Sequence, residues 1–260
     1  MTDYLDVPVP DRFKLDRKVA VVTGSSSGLG VDIAIGLAAA GADLVLTARR
    51  ANRLEETAAA VRALGRRALV VPTDVSDREA CRTAADAAVA EYGQIDVLVN
   101  NAGFGGELVQ VEDDTEANFR AQLDVNLGGS YWMSQMCGRA MGAGSSIVNI
   151  SSVLAVTTAR MPAAGYSAAK AGLLGLTRDM AAQWAPRGIR VNAILPGVFP
   201  SEATAHYSES YKAKVIAARI PLGRIGDPSD VAAAVVFLAG DSAAYITGVS
   251  LPVDGGVLLL

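Results

Sequence analysis

Short apolar runs alternate with longer stretches of helical periodicity along almost the whole chain. The first apolar run, residues 18–23, is rich in β-branched side chains and ends at a glycine, as is typical of a buried strand. A helical pattern follows over residues 31–40 and is closed by Gly41. This alternation predicts parallel strands whose connecting helices cover both faces of a sheet.

The same alternation continues to the C-terminus. Further strands are predicted at residues 44–47, 68–71, 95–99, 146–150, 189–195 and 248–253. Further helices are predicted at residues 53–64, 76–92, 115–124, 127–141, 163–185 and 228–239. Their ends carry sequence signals: Gly65 follows one helix, Ser76 and Glu79 form a capping box, and Asp227 precedes a first-turn proline.

These elements predict an α/β fold with a single doubly wound parallel sheet, Rossmann-like, and helices on both faces. A chain of 260 residues is long enough to bury a large core in one such domain. Residues 1–14 are expected to form a short mobile N-terminal arm, and residues 15–260 the domain. Residues 201–221 are polar, interrupt the alternation and form a candidate substrate lid.

A glycine-rich loop follows the first predicted strand and reads Thr-Gly-Ser-Ser-Ser-Gly-Leu-Gly at residues 23–30. Glycines in such a loop permit a tight turn, a close approach to a pyrophosphate and close packing of helix on strand. The N-terminus of the following helix offers unpaired N–H groups and the positive end of its dipole to phosphates. The loop therefore indicates dinucleotide binding, and an ordinary strand-to-helix turn is the alternative.

Tyr166 and Lys170 lie four residues apart on the predicted helix 163–185, so their side chains share one face. A free tyrosine has a pKa of about 10, and a nearby ammonium lowers that pKa toward the range useful for acid/base work. Ser151 and Ser152 end the preceding strand, where a hydroxyl can hydrogen-bond a reacting oxygen. A tyrosine and a lysine at this spacing also occur by chance on surface helices.

Taken in order, these motifs resemble those of the short-chain dehydrogenase/reductase family. The resemblance covers about residues 15–257 and is carried by the loop at 23–30, Asn-Asn-Ala-Gly at 100–103, the serines at 151–152, Tyr-x-x-x-Lys at 166–170 and Pro-Gly at 196–197. It implies hydride transfer between a nicotinamide cofactor and an alcohol/carbonyl pair. In that reaction Tyr166 would be the general acid/base.

The resemblance implies a catalytic set of Asn126, Ser152, Tyr166 and Lys170. It favours Ser152 over Ser151, although the separation from Tyr166 is one residue longer than the family pattern. Asn126 can also be explained as a helix cap or kink residue, and Asp74 as a cap of the next helix. The implied cofactor-binding residues are Gly24, Ser26, Ser27, Gly28, Leu29, Gly30, Arg49, Asp74, Val75, Asn101, Ala102, Gly103, Tyr166, Lys170, Pro196, Gly197, Val198 and Ser201.

The end of the second predicted strand bears on the choice of cofactor. A carboxylate there accepts hydrogen bonds from the ribose 2′-hydroxyl of NAD, but this chain has Ala48 followed by Arg49. An arginine binds a 2′-phosphate that a carboxylate would repel. We therefore expect NADP(H) in preference to NAD(H), with Arg49 and Ser25 or Ser26 at the phosphate. The alternative is that Arg49 and Arg50 form a solvated strand end.

Composition excludes several other classes of function. The net charge is −4 and no long run of Lys or Arg is present, so nucleic-acid binding is not expected. No apolar run reaches the 18 residues of a membrane span, and no signal peptide is recognisable, so a cytoplasmic location is expected. Two cysteines and one histidine predict neither a disulfide framework nor a metal site.

The substrate is expected to be a small carbonyl or alcohol compound held by loops at the carboxyl ends of the strands. Candidate contacts are Phe104, Leu154, Met161, Phe199, His206 and Tyr207. An apolar ketone, a fatty-acyl β-keto thioester and a sugar acid all remain open. Small apolar residues on the helices at 127–141 and 163–185, and the apolar end at 257–260, predict subunit contacts, and the resemblance implies a homotetramer.

The predicted function is thus an NADP(H)-dependent oxidoreductase acting on a carbonyl/secondary alcohol pair. Alternatives are a 3-oxoacyl thioester reductase, an NAD-linked polyol or sugar-acid dehydrogenase, and a non-catalytic dinucleotide-binding protein.

Overall fold

Seven strands and seven helices make up the regular structure in the computed structural model, which describes residues 7–158, 160–200 and 219–259. The strands are β1 (Val19–Thr23), β2 (Asp43–Ala48), β3 (Ala68–Pro72), β4 (Val97–Asn100), β5 (Ser146–Ile150), β6 (Arg190–Pro196) and β7 (Ser250–Val253). The helices are α1 (Leu29–Ala39), α2 (Ala51–Ala63), α3 (Arg78–Tyr92), α4 (Glu116–Leu123), α5 (Gly129–Ala140), α6 (Ala164–Trp184) and α7 (Pro228–Ala239).

All seven strands lie parallel in one sheet of order β3-β2-β1-β4-β5-β6-β7. The strand order reverses between β1 and β4, and ligands bind at such a switch point beyond the carboxyl ends of the strands. The predicted doubly wound α/β fold is confirmed. The sheet order also puts the glycine loop after β1 beside the Asn-Asn-Ala-Gly turn after β4.

Two apolar layers enclose the sheet. On one face the strands pack against α1, α2 and α7, and on the other against α3, α5 and α6. Because both faces of the sheet are covered, β1 and β5 are buried along their whole length, and the polar side chains in β5, Ser146 and Asn149, are hydrogen-bonded inside the core. The edge strand β7 differs, because its residues alternate between exposed and partly buried.

The predicted helices at 115–124 and 127–141 are continuous in the structure. A π-helical segment, Asp124–Gly128, joins α4 to α5 without an intervening loop. The adjacent glycines at 128 and 129 suggest a break in the sequence, but they serve packing instead. A Cβ at Gly129 would lie 2.6 Å from Val75 Cγ2, so the glycine lets α5 approach the chain that follows β3.

Two of the helix ends predicted from sequence signals agree with the structure, and one does not. Gly65 has φ of +76° after α2, and Asp227 forms a capping box with Asp230 at the start of α7, both as predicted. The cap of α3 is Asp77 rather than Ser76. The Asp77 carboxylate accepts hydrogen bonds from the N–H groups of Glu79, at 2.8 Å, and of Ala80, at 3.4 Å.

Part of the predicted arm packs on the domain. Val9–Phe13 forms a short 3-10 helix, and the ring centroids of Phe13 and Phe237 lie 6.1 Å apart. The adjacent Leu15 is completely buried.

The proposed lid falls almost wholly on residues 201–218, outside the described residues. Leu259 belongs to the apolar C-terminal end for which a subunit contact is predicted, and it is 83% exposed in the single chain.

Candidate active site

The glycine loop and the turn after β4 are joined through Thr23, the last residue of β1. The Thr23 hydroxyl accepts hydrogen bonds from the N–H groups of Asn101 and Ala102, both at 2.9 Å. The Asn101 side-chain amide donates in return to the Thr23 carbonyl, at 2.9 Å, and more weakly to the Gly24 carbonyl, at 3.3 Å. These bonds hold two of the sequence motifs against each other.

The loop at residues 23–30 has the shape that a dinucleotide requires. Gly24 has φ of +67°, and a Cβ on it would lie 2.7 Å from Ala102 Cα, so only glycine fits between the two turns. Gly28 has φ of +56° and open space around it, and no side chain caps the N-terminus of α1 that follows. Uncapped N–H groups beside open space suit a pyrophosphate, so the residues present fit an NAD(P) cofactor.

The carboxyl end of β2 brings a second arginine to this loop. Arg50 Nη2 donates to the hydroxyl of Ser27 at 2.8 Å and to that of Ser26 at 3.4 Å. Ser25 is completely buried, and its hydroxyl faces the Thr47 carbonyl at 3.5 Å. Ser25 is therefore not available to a phosphate. From the sequence, Arg50 is expected only at a solvated strand end, because the spacing of residues does not show that its side chain reaches across to the loop.

Asp74 lies beyond β3 and is not the cap of α3. Its carboxylate accepts hydrogen bonds from the Ser76 hydroxyl at 2.7 Å and from the Ser76 N–H at 3.0 Å. These bonds, with the nearby charge of Arg49, hold the pKa of Asp74 below its ordinary value against the opposing effect of burial. The ionised carboxylate is fixed at the edge where the resemblance implies an adenine contact. The neighbouring Val75 is buried against α5.

The two serines after β5 differ in what their hydroxyls contact. The Ser151 hydroxyl is buried and donates to the Lys170 carbonyl at 2.9 Å, which ties the strand end to α6. The Ser152 hydroxyl accepts a hydrogen bond from the Leu154 N–H at 3.1 Å and also interacts with the Tyr166 phenol, favouring its ionised form. Ser152 is thus the serine on the side of Tyr166.

Lys170 is a buried cation. Its side chain lies on α6 one turn after Tyr166, and Nζ donates to the Ile150 carbonyl at 2.9 Å. Nζ lies 5.6 Å from the centroid of the Tyr166 ring. Burial lowers the pKa of Lys170 to about 8, because a charged ammonium loses its hydration inside the protein.

The pKa of Tyr166 does not follow the sequence expectation. Burial raises that pKa above its ordinary value, and the hydrogen bond with Ser152 offsets the rise only in part. The lowering of this pKa by Lys170 that the sequence predicts does not occur; the Lys170 ammonium donates to the Ile150 carbonyl at 2.9 Å and lies 5.6 Å from the centroid of the Tyr166 ring. In this state Tyr166 holds its proton at neutral pH.

Asn126 sits inside the π-helical segment and is completely buried. Its amide donates to the carbonyls of Phe104 and Gln122, both at 2.8 Å, and its Oδ1 accepts from the Phe104 N–H at 3.1 Å. Asn126 therefore anchors the loop after Asn-Asn-Ala-Gly to the α4–α5 junction. Its place in a π-helical segment fits the structural interpretation, and such segments recur at functional sites, but the catalytic role of Asn126 stays a prediction. A Cβ at Gly103 would lie 3.2 Å from Asn126 Oδ1 and 3.8 Å from Lys170 Nζ, which puts the turn over both side chains.

The carboxyl end of β6 closes the other side of the site. The Gly197 N–H donates to the Val253 carbonyl at 3.0 Å, and a Cβ on Gly197 would lie 2.7 Å from Asp254 Cα. Pro196 ends β6, and the Val198 carbonyl accepts from the Gly226 N–H at 2.9 Å. This segment runs toward Ser201, which lies outside the described residues.

The substrate candidates divide into three groups. Phe104 and Met161 are 40% and 38% exposed, and Leu154 is partly exposed, so each is accessible to a ligand. Phe199 belongs instead to the hydrophobic core beneath α1 and α7, because a ring of that size fills the space beside Gly226. His206 and Tyr207 lie outside the described residues.

Two other kinds of feature, a metal site and a membrane-spanning helix, are absent from the described residues. No group of three or more His, Cys, Asp or Glu side chains in residues 7–158, 160–200 and 219–259 is arranged to hold a metal ion. No helix in this part of the chain is long and apolar enough to cross a membrane.

Comparison with known proteins agrees with this geometry. A family model described as enoyl-(acyl carrier protein) reductase matches residues 24–258. The 2-dehydro-3-deoxy-D-gluconate 5-dehydrogenase of Escherichia coli (strain K12) is 41% identical over an alignment 256 residues long that covers 95% of this chain and 97% of the relative.

Solved structures of similar proteins also include a short-chain dehydrogenase. A putative short-chain alcohol dehydrogenase from Sinorhizobium meliloti 1021 superposes with a TM-score of 0.90 at 41% identity, covering 97% of this chain and 99% of the other. A blue fluorescent protein from a metagenomic library, crystallised in complex with NADPH, superposes with a TM-score of 0.88 at 35% identity, covering 94% and 99% of the two chains. The chain is therefore an oxidoreductase and belongs to the short-chain dehydrogenase/reductase family.

Proposed function

We propose that this protein is an NADP(H)-dependent oxidoreductase that interconverts a carbonyl compound and a secondary alcohol, with Tyr166 as the general acid/base. The observation that carries the proposal is the convergence of three side chains. The Ser152 hydroxyl interacts with the Tyr166 phenol, and the buried ammonium of Lys170 lies 5.6 Å from the same ring. The glycine loop that suits a dinucleotide is hydrogen-bonded through Thr23 to Asn101 and Ala102, and a Cβ on the next residue, Gly103, would lie 3.8 Å from Lys170 Nζ.

When bound, NADP(H) supplies or accepts the hydride at the reacting carbon. In the direction of reduction, Tyr166 gives its phenolic proton to the oxygen that gains negative charge, and Ser152 stabilises that oxygen by a hydrogen bond. In the direction of oxidation, the phenolate takes the hydroxyl proton. Burial raises the pKa of Tyr166 and so favours the protonated phenol, which reduction uses; oxidation uses the phenolate and is expected to quicken as pH rises.

The test of this role is Tyr166→Phe, which removes the phenolic proton and leaves the ring. We expect kcat for carbonyl reduction to fall by about 10²- to 10⁴-fold, the range that a positioned acid/base group contributes. Calorimetric titration should give unchanged cofactor binding. Tyr245→Phe is the matched control, since Tyr245 is fully exposed to solvent. Retention of wild-type kcat by Tyr166→Phe would exclude the proposed role.

The preference for NADP(H) is supported by the basic end of β2. Ala48 leaves no carboxylate there, Arg50 bonds to Ser26 and Ser27, and the charge of Arg49 acts on Asp74. Two guanidinium groups and two hydroxyls suit a 2′-phosphate. The related blue fluorescent protein bound NADPH.

Titration of the wild type and of Arg50→Ala with NADPH and with NADH tests this preference. We expect tighter binding of NADPH by the wild type, and about tenfold or greater weakening for NADPH alone in the variant. Arg82→Ala is the control, because Arg82 pairs with Glu79 and Asp86 on the exposed face of α3. Equal weakening for both cofactors, or tighter binding of NADH by the wild type, would overturn the NADP(H) assignment.

A second candidate is an NAD-linked dehydrogenase of polyols or sugar acids. The specific observation in its favour is the sugar-acid dehydrogenase activity named for the Escherichia coli relative. A panel of sugar acids, polyols and apolar ketones with both cofactors separates the two candidates. The same panel includes a 3-oxoacyl thioester, since the matching family model is described by a reductase of acyl-carrier substrates.

We further propose that the protein assembles as a homotetramer, with one contact across α5 and α6. Support comes from a shallow apolar groove between these helices, whose lining includes Leu127, Tyr131, Gly172 and Leu176. Tyr131 is 39% exposed in the single chain. The cytoplasmic location stays a prediction from the sequence.

A further inference from the structure

Gln122, on α4, has a buried side chain whose oxygen lacks a partner. The residue is 2% exposed, and no hydrogen-bond donor among the described residues reaches Oε1. Buried side-chain oxygens are nearly always hydrogen-bonded, since an unmet acceptor in a dry site is costly. An unpaired acceptor at a defined position therefore indicates a missing donor.

The surroundings of this amide connect it to the active site. A Cβ on Gly165, the residue before Tyr166, would lie 2.9 Å from Gln122 Oε1. A Cβ on Gly106, in the loop after β4, would collide with the Gln122 amide nitrogen. The main-chain carbonyl of Gln122 accepts the hydrogen bond from Asn126 at 2.8 Å. The amide thus lies between the loop that carries Phe104 and the first turn of α6.

The two glycines give this amide room that larger residues would fill. Gln122 lies on α4 and Asn126 in the π-helical segment that follows, and both meet the loop after β4: a Cβ on Gly106 would collide with the Gln122 amide, and the Asn126 amide donates to the Phe104 carbonyl. The Gln122 side chain lies nearer the N-terminus of α4 and hence farther along the loop from Gly103. The position is beside the site and not at the reacting atoms.

We propose that Gln122 Oε1 accepts a hydrogen bond from an O–H group held between this loop and the first turn of α6, and that the residue thereby positions the loop and selects the substrate. The donor is either a hydroxyl of a polyhydroxylated substrate, remote from the reacting carbon, or a trapped water. In the first case the inference rests on the proposed function. In the second it concerns the folded protein alone.

Gln122→Met tests the inference, because methionine is of similar length and cannot accept a strong hydrogen bond. Gln122→Glu, which keeps an oxygen at the same reach, is the matched variant. For each protein we would measure the thermal midpoint, and kcat/KM for a polyol or sugar acid and for a simple secondary alcohol of equal chain length.

A substrate hydroxyl as the donor predicts that Gln122→Met lowers kcat/KM about tenfold or more for the hydroxylated compound only, with recovery in Gln122→Glu. A trapped water predicts a lower thermal midpoint and an equal fall for both compounds, because the loop shifts for every substrate. If Gln122→Met raises the thermal midpoint and leaves both kcat/KM values unchanged, the inference is wrong. A wild type inactive on every compound would overturn the proposed function instead, and the thermal midpoint would still decide for or against the trapped water.

Discussion

At the scale of single residues, two adjacent serines have different roles. Ser151 and Ser152 follow the same strand, yet one hydroxyl bonds to the Lys170 carbonyl and the other interacts with Tyr166. Extended backbone points successive side chains in opposite directions, so one serine enters the packing between β5 and α6 while the next faces the site.

The two serines therefore predict two different losses. Ser152→Ala should lower kcat by about 10²-fold or more, by removing a hydrogen bond to the reacting oxygen, with little change in stability. Ser151→Ala should lower the free energy of unfolding by about 1 kcal/mol, with kcat nearly kept. Steady-state kinetics and urea denaturation of both variants check this. The opposite pattern would assign the catalytic hydroxyl to Ser151.

The buried Lys170 is expected to serve activity at a cost in stability. A lone buried ammonium destabilises the folded state, since burial lowers its pKa to about 8 from an ordinary 10.5. Lys170→Met should abolish activity and, at pH 7, raise the free energy of unfolding by on the order of 3 kcal/mol, less the loss of the bond to Ile150.

The sign of the pH dependence follows from proton binding. Between pH 8 and 10.5 the unfolded chain holds a proton on Lys170 that the folded chain has released, so the wild type gains stability as pH rises. The advantage of Lys170→Met should be complete below pH 8 and vanish toward pH 10.5. Urea denaturation at pH 7 and 9.5 measures it. An advantage that does not change with pH would show that the lysine is not the source.

At the scale of elements, termini and junctions hold the functional residues in place. The segment between β3 and α3 contains both a cap, Asp77, and a carboxylate proposed for the cofactor, Asp74. Asp77 satisfies the free N–H groups of the first turn of α3, whereas Ser76 bonds only to Asp74. Neighbouring residues are thus divided between helix stability and ligand binding.

This division predicts opposite effects for two alanine substitutions. Asp77→Ala should lower the free energy of unfolding by about 1 kcal/mol, and cofactor affinity should be retained. Ser76→Ala should leave the stability near that of the wild type and weaken cofactor binding, because the Asp74 carboxylate loses its orienting hydroxyl. Denaturation and calorimetry on the pair check both. If Ser76→Ala lowered the free energy of unfolding more than Asp77→Ala does, Ser76 would be the cap of α3, as the sequence predicts.

At the scale of the whole molecule, the described residues leave an apolar groove between α5 and α6 uncovered. The groove between α5 and α6 lies on the outer side of helices whose inner side packs on the sheet. A Cβ on Gly175 has open space, with Arg178 Nη2 as its nearest neighbour at 4.0 Å. A larger side chain there is accommodated by the single chain but would enter a subunit contact.

Gly175→Glu should therefore leave the fold intact and reduce the assembly to smaller species. Analytical ultracentrifugation gives the mass, and circular dichroism checks the fold. Gly142→Glu is the control, since Gly142 has open space after α5 and lies outside the groove. A wild type that sediments as a monomer at micromolar concentration would overturn the proposed assembly.

The sequence by itself determined the class of fold and the order of the motifs. Local signals suffice for that: β-branched apolar runs bury on both faces, as along β1, and glycine or aspartate marks helix ends, as at Gly65 and Asp227. The four-residue spacing of Tyr166 and Lys170 fixes a shared helix face without any tertiary contact.

Tertiary structure decided what depends on contacts between distant segments. Arg50 reaches the glycine loop, Lys170 turns to the Ile150 carbonyl, and Phe199 enters the core because of neighbours far along the chain. The raised pKa of Tyr166 likewise depends on burial by other elements. The unpaired oxygen of Gln122 becomes visible only once α4, the loop after β4 and α6 are packed together, since no local pattern specifies which buried groups will lack a partner.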